Sequence, residues 1–230
     1  MTPEPRDYGR ELYPFLYASS GAAEGSVASL LEAVKRSTLD KCAEVVALRN
    51  EMMREYEIEV VSAARDMAER FTRGGQLLAF GNGGSATDAD DAASDCLLPS
   101  VPGWQALPAV SLPCESATVT ALTNDVGFEH VFSRQVAALG GRGDIALGFS
   151  TSGNSTNVVN GMKQAWRKGM LTIAFCGYDG GDLCRGESVD YCFVARREFV
   201  PRIQEGHATL WHVLIELVQD VLAEGVECNA

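Results

Sequence analysis

Short apolar runs that alternate with helical stretches between residues 76 and 223 predict an α/β fold whose parallel sheet is buried on both faces. Candidate strands occupy residues 76–80, 107–112, 144–149, 171–176 and 190–195, and candidate helices 85–97, 116–123, 128–139, 155–168 and 201–223. A second observation is a pair of turns, Gly81-Asn82-Gly83-Gly84-Ser85 and Ser150-Thr151-Ser152-Gly153-Asn154-Ser155, each set between an apolar run and a helix. Glycine there lets backbone approach a ligand closely, and the first N–H groups of the following helix favour an anion. In such sheets ligands collect at the carboxyl ends of the strands near a topological switch point, the edge where both turns fall. A phosphate-bearing small molecule is the first expectation.

Residues 1–24 carry three prolines and the aromatics Tyr8, Tyr13, Phe15 and Tyr17, with no period. They read as an arm, flexible or packed on a neighbouring subunit. From residue 25 to 73 apolar residues recur at three and four, which is helical: Leu30, Leu31, Val34, then Cys42, Val45, Val46, Leu48, Met52, Met53, Ile58, Val61 and Ala64. Ser37-Thr38-Leu39-Asp40 reads as the cap of a second, longer helix. So much apolar helix packs either on the domain or on other copies of the chain. After Gly74-Gly75 the strand–helix alternation fills residues 74–230, expected to form one structural unit with 25–73.

At 230 residues the chain is long enough for one such domain with its helical extension. A net charge of -12 argues against a nucleic-acid partner. No basic segment precedes a long apolar run, so neither a signal peptide nor a membrane partner is indicated, and the chain reads as cytoplasmic. The seven cysteines show no C-x-x-C and no zinc-finger spacing, and are read as reduced structural thiols.

Ser150, Thr151, Ser152 and Ser155 place four hydroxyls within six residues at a helix start. Capping needs one, so phosphate binding is the better reading. No Gly-Lys-Ser/Thr follows, which sets aside nucleotide hydrolysis and a nucleotide cofactor. Asp88, Asp91 and Asp95 share one helix face. Asp88 is accounted for by the helix dipole; Asp95, three turns in, is a candidate base or metal ligand. His212 lies in an apolar helix, a setting usual for a core histidine, although Gln204 two turns earlier on a similar face favours a functional role. His207, five residues from His212, points about 140° away round the helix. His130 reads as a surface turn or helix start.

These motifs, with Asn124-Asp125, Gly177-Tyr178-Asp179-Gly180-Gly181 and Arg202-Ile203-Gln204-Glu205, occur in one order across residues 25–224. Together they resemble the sugar isomerase (SIS) domain family, and within it the phosphoheptose isomerases. The resemblance implies a three-layer, flavodoxin-like sandwich with a central five-stranded parallel sheet, and N-terminal helices at the centre of a homotetramer. It implies phosphate on Ser85, Ser150, Thr151, Ser152 and Ser155, with Asn82, Gly83, Gly84, Asn124, Asp125 and Gln204 at the substrate. It also implies a divalent metal. The family's ligands are a histidine and a glutamate on the first helix, then a glutamine and a histidine on the last; the corresponding residues here are Asp91, Asp95, Gln204 and His212. Asp95 for glutamate withdraws a carboxylate by about 1.5 Å, and Asp91 for histidine shifts the set from zinc toward manganese.

The leading expectation is an aldose–ketose isomerase of a phosphorylated sugar, interconverting sedoheptulose 7-phosphate and a heptose 7-phosphate of the D-glycero-D-manno or altro type. Asp95 is the expected base and His212 its acid partner. The rival is a regulatory module that binds a phosphosugar or a protein without catalysis.

Overall fold

The computed structural model describes residues 27–227, so the expected arm lies outside the described residues. Contacts divide the chain into two compact units, Met1–Ala43 and Glu44–Ala230. Helix α1 (Val27–Thr72) is continuous over 46 residues. The expected break at residues 37–40 is absent: Thr38 Oγ1 donates to Val34 O at 2.9 Å, bonding back within the helix instead of capping a new one. Within the first unit, Val27, Leu30, Leu31, Val34 and Leu39 are exposed.

In the second unit, residues 44–72 of α1 bury Leu48, Met52, Tyr56, Val60, Met67 and Phe71, while Val46 and Ile58 remain exposed. There follow β1 (Leu77–Gly81), α2 (Gly84–Leu97), β2 (Ala109–Ser111), α3 (Ser116–Asp125), a 3-10 turn (Phe128–His130), α4 (Val131–Leu139), β3 (Ile145–Ser150) and α5 (Thr156–Arg167). The chain continues through β4 (Leu171–Gly177), α6 (Gly181–Arg185), β5 (Tyr191–Ala195) and α7 (Val200–Glu227). The strands form one parallel sheet in the order β2-β1-β3-β4-β5. This is the expected three-layer α/β architecture. The period of two along each strand separates the core into two layers. Leu77, Ala79, Leu147, Phe149, Phe175 and Phe193 face α2, α7 and residues 44–72 of α1. Leu78, Phe80, Ala146, Ala174 and Val194 face α4 and α5, where α6 adds Leu183.

From β1 the chain passes to β2 on one side and β3 on the other, so the topological switch point lies between β1 and β3. Both glycine turns follow those two strands, and Gly81 is in register with Phe149. Two features depart from expectation. Helix α6, five residues long, lies hidden in what reads as a glycine-rich turn. Cys184 on α6 and Cys192 on β5 are disulfide-bonded, which corrects the reading of these two as reduced, while Cys42, Cys96, Cys114 and Cys176 are free thiols as expected. Their eight-residue separation fits no short cysteine motif, and only the fold of the turn brings them together.

Candidate active site

The two turns form the walls of a crevice at the carboxyl ends of β1 and β3. Asn82 Nδ2 donates to Asn157 Oδ1 and Asn157 Nδ2 donates back to Asn82 Oδ1, both at 2.8 Å. This reciprocal amide pair ties the first turn to α5. Asn82, expected to line the sugar, therefore also fixes the crevice's width. Ser85 is buried at the start of α2, its N–H donating to Asn82 O at 3.0 Å.

In the second turn, Ser150 Oγ donates to Ser155 Oγ at 3.1 Å, and Asn154 N–H donates to Ser152 Oγ at 3.2 Å. Ser155 stands at the N-cap of α5, yet its side chain makes no capping bond. The hydroxyls are thus not consumed by the helix end, which leaves their remaining lone pairs and protons for an anion. Gly153 has φ +66°, and a Cβ there would run into Gly180 O, so the turn closes tightly on the loop before α6.

Helices α2 and α7 share a contact that runs away from the first turn along α2. At its upper end Gln204 Nε2 donates to Asp88 Oδ2 at 3.3 Å, with the Gln204 amide over Gly84, where any side chain would collide with it. Burial pushes the Asp88 carboxyl up to about 6; the Gln204 amide opposes the rise and the nearby Asp91 charge adds to it. Further along, Asp95 Oδ2 accepts from Trp211 Nε1 at 2.9 Å and lies 3.7 Å from His212 Nε2. The two side chains are 37% and 66% exposed respectively, so the pair faces solvent. The expected acid–base partners do meet. Trp211, which orients the carboxylate, was not foreseen, because an indole in an apolar helical run carries no sign of a hydrogen-bonding task.

The expected metal ligands divide. Gln204 is turned to Asp88 and His212 to Asp95 farther along the same helix pair. Gln204 is engaged by Asp88, and Asp91 is exposed. Among the described residues, the one group of three such side chains whose ligand atoms draw together is Cys176, Cys184 and Cys192. As a donor set within one chain, Asp91, Asp95, Gln204 and His212 do not fit a metal. Asn124 and Asp125 close α3, both exposed, with Asn124 Nδ2 donating to Asp125 Oδ1 at 2.7 Å; among the described residues no hydrogen bond ties them to either turn. His130 sits exposed at the 3-10 turn, as expected. His207 is fully buried against Phe149 and Phe175, its Nε2 2.8 Å from Cys176 O and its Nδ1 without a partner. Burial pushes its imidazole down to about 4, against the contrary effect of the Cys176 carbonyl.

A five-stranded parallel sheet with two glycine turns at its switch point, the second rich in hydroxyls, defines an α/β domain of the ligand-at-the-switch-point class, and residues 42–177 match the SIS domain. The chain belongs to the SIS domain family. Within that family it is 41% identical over 181 residues to a phosphoheptose isomerase of Thermodesulfovibrio yellowstonii, covering 79% of this chain and 89% of that protein. Among solved structures it is similar to a phosphoheptose isomerase from Neisseria gonorrhoeae, with a TM-score of 0.73 and 34% identity over 81% of this chain and 99% of that one. A phosphoheptose isomerase from Francisella tularensis matches at a TM-score of 0.69 and 30% identity, over 80% of this chain and 98% of that one.

Proposed function

We propose that the chain is an aldose–ketose isomerase that interconverts sedoheptulose 7-phosphate and an aldoheptose 7-phosphate. The observation that carries the reading is the approach of Asp95 and His212 to 3.7 Å on the α2–α7 contact, in a chain whose Ser155 stands at a helix N-cap without making a capping bond. The substrate phosphate rests on Ser85, Ser150, Thr151, Ser152 and Ser155. Asp95 takes the proton from the carbon beside the carbonyl, giving an enediolate, and returns it to the neighbouring carbon. His212 supplies and removes the proton on oxygen. Trp211 holds one carboxylate oxygen and leaves the other for the substrate. Because the expected ligand set divides, the proton transfer is assigned to these side chains alone.

The length of the substrate suits the spacing. From Ser85 to Asp95 helix α2 rises about 15 Å. An extended seven-carbon phosphate, about 10 Å long from standard bond lengths, with a hydrogen bond at each end covers that span. Shorter sugars leave more of it uncovered.

Exposed apolar residues on both stretches of α1, among them Leu31, Val34, Val46 and Ile58, support assembly as a homotetramer. Among the described residues no helix is long and apolar enough to cross a membrane, which is compatible with a cytoplasmic enzyme.

Asp91 and Asp95 stand where the resemblance expects histidine and glutamate, and this favours the second reading, a module that binds phosphosugar without turning it over. Incubation with ketose phosphates in deuterated water separates the two. The isomerase places deuterium at C1 or C2 and forms the aldose; binding with no exchange in any candidate sugar overturns the first reading and leaves the second.

A further inference from the structure

The Cys184–Cys192 disulfide lies directly behind the phosphate turn. Helix α6, which carries Cys184, is bonded to that turn at two points: Leu183 N–H donates to Gly153 O at 3.1 Å, and Asp182 N–H to Asn154 Oδ1 at 2.9 Å. A Cβ at Gly181 would strike Gly153 and Ser152 O, so α6 and the turn are in close backbone contact. The disulfide fastens this short helix to β5 in the body of the sheet. Five residues give α6 little helical stability of their own. Both bonded cysteines are half-buried, within reach of a small reagent.

We propose that Cys184 and Cys192 form a reversible redox site that sets how firmly the Ser150–Ser155 turn is held, and through it the affinity for the substrate's phosphate. The reductant is a small dithiol. Its thiolate attacks one sulfur of the bridge and releases the other as a thiolate, and its second thiol then closes on its own first sulfur and releases the attacked cysteine from the mixed disulfide. Two electrons and two protons pass to Cys184 and Cys192, which become thiols, and the reductant leaves as a cyclic disulfide. A low-molecular-weight disulfide reverses the change.

The third cysteine does not divert this exchange. Cys176 Sγ lies 3.9 Å from Cys192 Sγ, but Ala174 is the residue paired with Cys192, which places Cys176 on the diagonal. Diagonal neighbours stand roughly 7–8 Å apart at Cα, beyond ordinary disulfide geometry, whereas Cys184 and Cys192 stand at 5.6 Å. Burial also pushes the Cys176 thiol up to about 12, which keeps it from acting as a thiolate nucleophile.

The effect on affinity rests on the phosphate reading of the turn; the effect on α6 does not, and the test reads them separately. The full chain is poised with a low-molecular-weight disulfide or with a dithiol, and peptide mapping establishes whether 184 and 192 are linked. Hydrogen exchange at the Asp182 and Leu183 amides then reports on α6, and KM for sedoheptulose 7-phosphate, with inorganic phosphate as competitor, reports on the turn. Reduction is expected to speed exchange at both amides and to raise KM and the phosphate inhibition constant by about threefold to tenfold, the cost of losing one or two hydrogen bonds, with kcat little changed. Cys184→Ser fixes the protein in the reduced behaviour whatever the reagent; if that variant fails to fold, the wild-type comparison still decides. Absence of the 184–192 link after oxidation overturns the proposal, as does equal exchange in the two states. Faster exchange with unchanged phosphate affinity overturns its functional half. A protein that binds phosphate in neither state, yet shows the exchange difference, refutes the phosphate reading and not the redox site.

Discussion

In the proposed mechanism Asp95 and His212 carry the chemistry and Ser150 to Ser155 the affinity, so substitutions at the two places should separate. Asp95→Asn should abolish deuterium exchange while leaving phosphosugar binding nearly intact. His212→Ala should lower kcat by about 10²–10⁴-fold, the usual contribution of a positioned acid or base. Rate and binding assays on the same preparations check both. The chelation experiment belongs beside them. With Gln204 bonded to Asp88 and His212 beside Asp95, exchange activity should survive dialysis against a chelator, and elemental analysis should find zinc and manganese well below one per chain. A rate lost on chelation and restored by either metal contradicts the side-chain mechanism. His207 offers a prediction about stability. Its folded pKa of about 4 lies below the ordinary value of 6.5, so burial favours the neutral ring. The associated stability is present above pH 6.5 and is lost as pH falls through about 4, since the unfolded chain takes up the proton first. The loss is on the order of 3 kcal/mol, about 1.4 kcal/mol for each unit between the two values. Urea midpoints measured against His207→Gln, whose amide can still reach Cys176 O, should converge as the pH is lowered across that window. A constant difference counts against the buried neutral ring.

At the level of elements, Gly153 is the tightest point in the phosphate turn. Ala there must adopt φ +66° and push its Cβ against Gly180 O, and should cost about 1–3 kcal/mol. The same change should raise KM more than it lowers kcat; denaturant midpoints and initial rates test the two effects. Most elements were legible because each strand is a continuous apolar run and each long helix has a repeating face. The turns were legible because four hydroxyls exceed what capping requires. Helix α6 was not, since five residues are too few to show a period. Nor was the continuity of α1, because Thr38 has the same hydroxyl whether it caps a helix or bonds back to Val34 O. The pairing of Cys184 with Cys192 was invisible for a third reason, as it depends on how the 177–190 loop folds. In the site, the meeting of Asp95 with His212 was readable from the resemblance. The Trp211 bond and the Asp88–Gln204 bond were not, because they depend on how α2 and α7 are aligned.

For the whole molecule, the proposed assembly rests on the exposed apolar residues of α1, among them Leu31, Val34, Val46 and Ile58. Light scattering should return four times the 24.7 kDa chain mass. Charged substitutions at Val46 and Ile58 together should lower that mass, while a monomeric mass for the unaltered protein refutes the assembly. One small feature acts on this same scale. In the proposed function the Asn82–Asn157 clasp joins the turn that receives the phosphate to the turn that faces the sugar, so an occupant that steadies one steadies the other. Two fragments of the substrate should then help each other: inorganic phosphate should strengthen the binding of an unphosphorylated heptose, and by reciprocity the heptose should strengthen the binding of phosphate by the same factor. Neither fragment carries the whole recognition. The clasp makes their association synergistic, and Asn157→Ala should leave each to bind as though the other were absent.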